Sequence, residues 1–73
     1  MAKHEAKSEV TGSVWKIVTR VGQVLDPGET IMIIESMKME IPVIAEDGGT
    51  IREFRIEEGK PVTEGQVVAI LDA

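Results

Sequence analysis

An internal repeat of 37 residues limits what this chain can fold into. Residues 12–36 and 49–73 align without a gap, 25 positions in each half. Every glycine of one half falls on a glycine of the other: Gly12 on Gly49, Gly22 on Gly59 and Gly28 on Gly65. Chance would place three glycines so in roughly 1 of 2,300 arrangements, so the two halves should share one fold.

Apolar side chains follow the same repeat. They pair as Val14 with Ile51, Ile17 with Phe54, Leu25 with Val62, Ile31 with Val68, Ile33 with Ile70 and Ile34 with Leu71. The apolar runs are short, rich in Val, Ile and Thr, and separated by glycine turns, whereas no stretch keeps the 3.6-residue period of a helix. The pattern predicts an all-β sandwich or flattened barrel with an internal pseudo-twofold repeat.

One irregularity recurs in both halves. Val14 and Ile17 are both core candidates, as are Ile51 and Phe54, yet each pair is three residues apart and a regular strand returns to one face every second residue. We therefore expect bulges near Trp15–Lys16 and Arg52–Glu53. A bulge there also predicts that Trp15 lies toward the surface.

Size and charge exclude several functions. The chain has 73 residues, no cysteine and a net charge of -5. One small domain without thiols offers neither a large catalytic cleft nor a thiolate site, and its negative charge argues against nucleic acid and anionic membranes as partners. Residues 1–9 are charged and aperiodic, so we expect a flexible lead-in before a domain at 10–73 and, in the absence of a signal segment, a cytoplasmic protein.

A single lysine stands out in the middle of the chain. Lys38 is the only basic residue between Arg20 and Arg52, and methionines flank it. If Thr30–Glu35 and Glu40–Ile44 are paired strands, Met37 and Lys38 form the tip of a hairpin and the lysine amine is exposed. The position related to that tip by the repeat is occupied by the chain termini, so tip and termini should lie at opposite ends of the domain.

The segment Glu35-Ser36-Met37-Lys38-Met39-Glu40 on such a hairpin resembles the biotinyl domains of biotin-dependent carboxylases. The resemblance covers residues 10–73, although the usual tetrapeptide of that family is Ala-Met-Lys-Met and Ser36 stands here in place of the alanine. It implies a flattened eight-stranded barrel of two four-stranded antiparallel sheets. Because the halves align without a gap, the inserted "thumb" loop of some acetyl-CoA carboxylase carriers cannot fit, and we expect no protruding loop between residues 17 and 31.

The resemblance also implies a function. Biotin would be attached covalently to Lys38 by a biotin protein ligase and would carry carboxyl groups between the biotin carboxylase and the carboxyltransferase of a carboxylase, for example an acyl-CoA carboxylase. The chain would then be a carrier subunit and not a catalyst. Recognition by the ligase or another partner is expected to involve the neighbours of the lysine, namely Glu35, Ser36, Met37, Met39 and Glu40.

Other interpretations remain open. Lipoyl domains of 2-oxo acid dehydrogenase complexes resemble the same fold and also modify a hairpin lysine, but their usual Asp-Lys-Ala or Asp-Lys-Ser is absent. The chain shows no catalytic constellation, which disfavours an independent enzyme, and the explicit lysine motif disfavours a plain interaction module. His4 is the single histidine of a chain without cysteine, so we assign it neither metal binding nor catalysis. Acetyl-CoA, propionyl-CoA, pyruvate and urea all remain possible acceptors of the carboxyl group.

Overall fold

A computed structural model describes residues 3–72 as eight strands without a helix. The strands are β1 (Lys3–Lys7), β2 (Gly12–Ile17), β3 (Val24–Leu25), β4 (Glu29–Ser36), β5 (Met39–Ala45), β6 (Gly49–Phe54), β7 (Pro61–Val62) and β8 (Val67–Asp72). They form two four-stranded sheets of order β1-β8-β6-β3 and β5-β4-β2-β7, in which every pairing is antiparallel. The predicted all-β architecture is confirmed.

The 37-residue repeat is a true structural pseudo-symmetry. Shifting β1–β4 by 37 residues lays each strand on its counterpart among β5–β8. Hydrogen bonds between the halves are exchanged accordingly: the Gly22 N–H donates to the Ile51 carbonyl at 2.8 Å, and the Gly59 N–H donates to the Val14 carbonyl at 2.7 Å. Strands of both halves therefore contribute to each sheet, and neither sheet is formed by one half alone.

Side chains from both sheets meet in one apolar core. The fully buried members are drawn from both halves of the repeat: Val14, Ile31, Met32, Ile34, Ile51, Val62, Val68, Ala69 and Leu71, with Leu25 also buried. Ile17 and Phe54 pack against this cluster and are only partly buried. A small domain buries little apolar surface, so nearly all of the β-branched and leucine side chains on the inner faces of the sheets are needed in the core.

Bulges occur where the spacing of core residues predicted them. The register of β2 against β4 shifts between Val14 and Lys16, and that of β6 against β8 shifts between Ile51 and Glu53. The extra residue of the first bulge is Trp15, which is 50% exposed. The prediction that the single tryptophan lies at the surface is therefore confirmed.

The expected flexible lead-in is wrong for residues 3–7, which form β1. This strand pairs with β8 from Lys3 opposite Asp72 to Lys7 opposite Val67, and the Ser8 N–H continues the contact to the Gln66 carbonyl at 3.0 Å. Backbone hydrogen bonds hold β1, while its exposed side chains are charged and Ala6 is its one buried residue. Met1 and Ala2, which the same prediction covered, lie outside the described residues.

Short connections and a long hairpin shape the domain. The link between β2 and β3 has the same length as the link between β6 and β7, so the chain has no thumb.

From the tip, β5 runs about 20 Å to Ala45, and Gly49 then lies so close to the Asp72 carbonyl oxygen that an added Cβ would approach it to 2.6 Å. The tip and the described ends of the chain thus lie at opposite ends of a body measuring 35 × 17 × 17 Å.

Within residues 3–72 no helix has the length and apolar character that crossing a membrane requires.

Candidate functional site

The tip of the β4–β5 hairpin is a two-residue turn. Ser36 and Met39 are the last paired residues of the two strands, and Met37 and Lys38 connect them. Both connecting residues have positive φ, 52° for Met37 and 66° for Lys38. Two central residues with positive φ are the mark of a type I′ turn, whose twist matches that of the flanking strands.

This turn is built from residues poorly suited to it. Type I′ turns favour Asn-Gly because a Cβ in the left-handed region clashes with the following carbonyl, at a cost of about 1–2 kcal/mol per residue. Met37 and Lys38 are the only residues other than glycine with positive φ among those the structure describes. Local strain of this kind is tolerated where another property of the side chains is needed, so the tip is a functional candidate on backbone geometry alone.

The side chains at the tip stand in solvent. Met37 is 92% exposed and Met39 is 62% exposed, as expected for methionines that are not core residues, and Lys38 is exposed between them. The two ion pairs found within residues 3–72 join Arg52 to Asp72 and Arg55 to Glu53, and neither involves Lys38. The structure therefore presents a primary amine, flanked by two adaptable apolar side chains, to any approaching partner.

Two carboxylates lie immediately below the turn. Glu35 and Glu40 face each other directly across the β4–β5 ladder, and both are exposed. Like charges directly opposite on one sheet face are destabilising, so this pair does not serve stability. It places two negative charges close in sequence to Lys38, a pattern that a basic partner surface could recognise.

The hairpin end is held by contacts between Ser36 and residues that sequence reasoning missed. Ser36 donates a hydrogen bond from its hydroxyl to the Thr11 carbonyl oxygen at 2.8 Å, and the Thr11 hydroxyl accepts one from the Glu64 N–H at 3.0 Å. Gly12 passes so close to the Glu35 carbonyl and the Ser36 side chain that no Cβ would fit there. The repeat had marked Gly12, but only as the start of a strand, whereas Thr11 and Glu64 carry no pattern that would have singled them out.

A groove in the described chain lies away from Lys38. It occupies about 620 Å³ between the open edges of β1 and β5, beside Ala6, Ile41 and Val43. No cluster of three or more His, Cys, Asp or Glu side chains within residues 3–72 could hold a metal ion. The arrangement that the structure does offer for chemistry is the exposed amine at the tip.

Comparison with known proteins gives one consistent family. The profile of a family described as "Biotin-requiring enzyme" matches residues 3–71. A biotin/lipoyl attachment protein of Bacillus subtilis is 38% identical over 60 residues, which cover 82% of each chain.

Solved structures agree with this match. The urea carboxylase of Kluyveromyces lactis contains a region that superposes with a TM-score of 0.93 at 33% identity, covering 99% of this chain and 6% of that one. A lipoyl domain from the 2-oxoglutarate dehydrogenase complex of Azotobacter vinelandii superposes with a TM-score of 0.72 at 30% identity, covering 88% of this chain and 81% of that one. The similarity thus extends both to a small attachment protein and to part of a large carboxylase.

Proposed function

The chain belongs to the biotin/lipoyl attachment family, and on that premise we propose that Lys38 is the residue acylated and that biotin is the group it carries. Attachment domains of this kind are carriers and not catalysts. The chain covers only 6% of the matching carboxylase, so the activity of a whole carboxylase is not attributed to it.

One observation carries the proposal, namely that the methionine-flanked Lys38 occupies the tip of a strained two-residue turn. Acylation needs an amine that can enter the active site of another protein, and the end of a rigid hairpin supplies one. Lysines elsewhere on the surface lack this presentation: Lys16 lies within β2, and Lys60 lies in the β6–β7 connection with its backbone bonded to Val14.

The residues around Lys38 have separable tasks in this proposal. The β4–β5 ladder fixes the position of the amine, while Met37 and Met39 offer apolar surface that can adapt to more than one partner. Acylation removes the positive charge of the lysine, and the long side chain then acts as a tether that raises the concentration of the attached group near each active site. Biotin held there would supply transfer of a carboxyl group between two separate active sites.

A biotin-dependent carboxylase is the partner that these observations favour. The similarity to a region of a urea carboxylase supports this class, and the acidic Glu35 and Glu40 beside the tip suit partners with basic docking surfaces. We therefore propose three partners: a biotin protein ligase, a biotin carboxylase and a carboxyltransferase, all in the cytoplasm. The choice among acyl-CoA, pyruvate and urea as acceptor belongs to the carboxyltransferase.

Lipoylation is the second candidate, because the chain superposes on a lipoyl domain at 30% identity. A lipoyl carrier would use the same exposed lysine. The methionines on both sides of Lys38 favour biotin by their resemblance to the biotinyl motif.

Competitive modification separates the two candidates. The chain is produced with a biotin protein ligase, with a lipoate ligase, and with both together, and intact mass and peptide mapping follow each expression. We expect a single biotinyl group on Lys38 in the first and third samples. Lipoylation in preference to biotinylation would replace the proposal by the second candidate, and modification of another lysine would contradict the assignment of the site.

A further inference from the structure

The strained turn at Lys38 is anchored on one side by a chain of two hydrogen bonds. Ser36, the last residue of β4, donates to the carbonyl of Thr11 in the β1–β2 connection. The hydroxyl of Thr11 in turn accepts from the N–H of Glu64 in the β7–β8 turn. Three segments that are distant in sequence are thereby joined beneath the tip.

This anchor begins where the β2–β4 ladder ends. On the β2 side, the last residue of β4 in register is Glu35, opposite Ser13, and the next residue of β2, Gly12, pairs with β7. Ser36 therefore lies beyond the β2–β4 ladder. Within residues 3–72, its hydroxyl makes the one side-chain hydrogen bond from the hairpin end to the β1–β2 connection.

The anchor is specific to this half of the repeat. Under the 37-residue shift, Ser36 corresponds to Ala73 and Thr11 to Gly48, and neither residue has a hydroxyl. The same serine replaces the alanine of the tetrapeptide that the segment resembles. The repeat's other end lacks these two hydroxyls, and they occur beside the proposed attachment lysine. Their position points to a role at that lysine.

We propose that Ser36 is a positioning residue for acylation of Lys38. Its hydroxyl ties the turn to Thr11, so that the amine is presented in a narrow range of orientations and the turn loses less conformational entropy when the ligase binds. This inference rests on the proposed function. A hydrogen bond of ordinary strength then corresponds to a change of about fivefold in kcat/KM for biotinylation, carried mainly by KM.

The first test uses the unmodified domain and no ligase. We compare ¹⁵N order parameters of the wild-type chain, Ser36→Ala and the matched control Ser13→Ala, a serine at the same end of the sheet for which the structure shows no side-chain hydrogen bond. In Ser36→Ala the order parameters of Met37, Lys38 and Met39 should fall from the rigid range, about 0.85, toward about 0.6. Ser13→Ala should leave them unchanged.

The second test measures biotinylation of the same three chains, and of two further variants, by a biotin protein ligase with biotin and ATP. Ser36→Ala should raise KM about fivefold with little change in kcat, and Ser36→Thr, which keeps the hydroxyl, should recover most of the loss. Thr11→Val removes only the outer hydrogen bond, to Glu64, and should produce a smaller change in the same direction. This variant tests the anchor independently if Ser36→Ala proves poorly folded.

The outcomes are distinguishable. Unchanged order parameters with slower biotinylation would mean that the Ser36 hydroxyl contacts the ligase directly, and unchanged biotinylation with a looser tip would make the anchor purely structural. Either result overturns the positioning role. Complete lack of modification at Lys38 in the wild-type chain would instead overturn the proposed function, while the order parameters would still report whether the anchor exists.

Discussion

At Lys38, substitution by arginine distinguishes the role of the amine from that of the positive charge. Arginine keeps the positive charge and can occupy the same exposed turn, but its guanidinium is not acylated. Lys38→Arg should therefore abolish biotinylation completely while changing the free energy of unfolding by no more than about 0.5 kcal/mol, as is usual at exposed sites. Intact mass after expression with the ligase and urea unfolding check the two halves of this prediction, and Lys60→Arg, at another exposed lysine, should be modified like the wild-type chain. Loss of modification in Lys60→Arg, or its persistence in Lys38→Arg, would contradict the assignment.

At Met37, the side chain that recognition by the ligase needs is unfavourable for the stability of the turn. Its φ of 52° suits asparagine better than a long apolar side chain, so Met37→Asn should raise the free energy of unfolding by up to about 1 kcal/mol. The same change removes apolar contact surface and should slow biotinylation several-fold. Met39→Asn is the matched control: Met39 is exposed but lies outside the left-handed region, so it should slow biotinylation without the gain in stability. Urea unfolding and initial rates of biotinylation measure both effects, and a less stable Met37→Asn would show that the turn is not strained.

Among the elements, β1 provides the sharpest test of the fold. Ala6 faces the core from this strand, whereas its neighbour Lys7 is exposed. Ala6→Glu should cost about 2–3 kcal/mol of unfolding free energy, because the charge is placed against apolar side chains without a partner. Lys7→Glu should change it by less than about 0.5 kcal/mol. Equal and small effects in chemical denaturation would mean that residues 3–7 do not form part of the folded domain.

The same strand shows how far the sequence could predict the structure. The β4–β5 hairpin, the bulges in β2 and β6 and the exposed tip follow from alternation, glycine spacing and the repeat. β1 was missed because its inward positions carry His4 and Ala6, where the repeat places Ile41 and Val43. Extending the 37-residue shift upstream would have found it. The contact of Ser36 with Thr11 had no such signal, since it joins residues 25 apart through a side chain and a backbone carbonyl.

For the whole molecule, the pseudo-symmetry relates the tip of the β4–β5 hairpin to the paired ends of β1 and β8. Lys3 lies opposite Asp72 as Glu40 lies opposite Glu35, so the two ends of the domain have the same strand register. At one end a two-residue turn joins the strands and carries Lys38. At the other end the described residues reach Lys3 and Asp72, which are paired in the same way.

This equivalence predicts a circular permutant. Four residues connect Glu35 to Glu40, so a link of Ala73, Asn, Gly and Ala2, with Met1 removed, should join Asp72 to Lys3 in the same geometry, using the dipeptide that type I′ turns prefer. New termini between Glu46 and Asp47 fall in an exposed turn, where permutation is usually tolerated. This chain should unfold cooperatively near the parental midpoint and accept biotin on Lys38 at the parental rate. A control with the same link but opened between Ile33 and Ile34, inside the central strand β4, should not fold. Failure of the first permutant with the Asn-Gly link, measured by thermal unfolding, would show that the two ends are not equivalent, because the exposed opening site by itself breaks no strand.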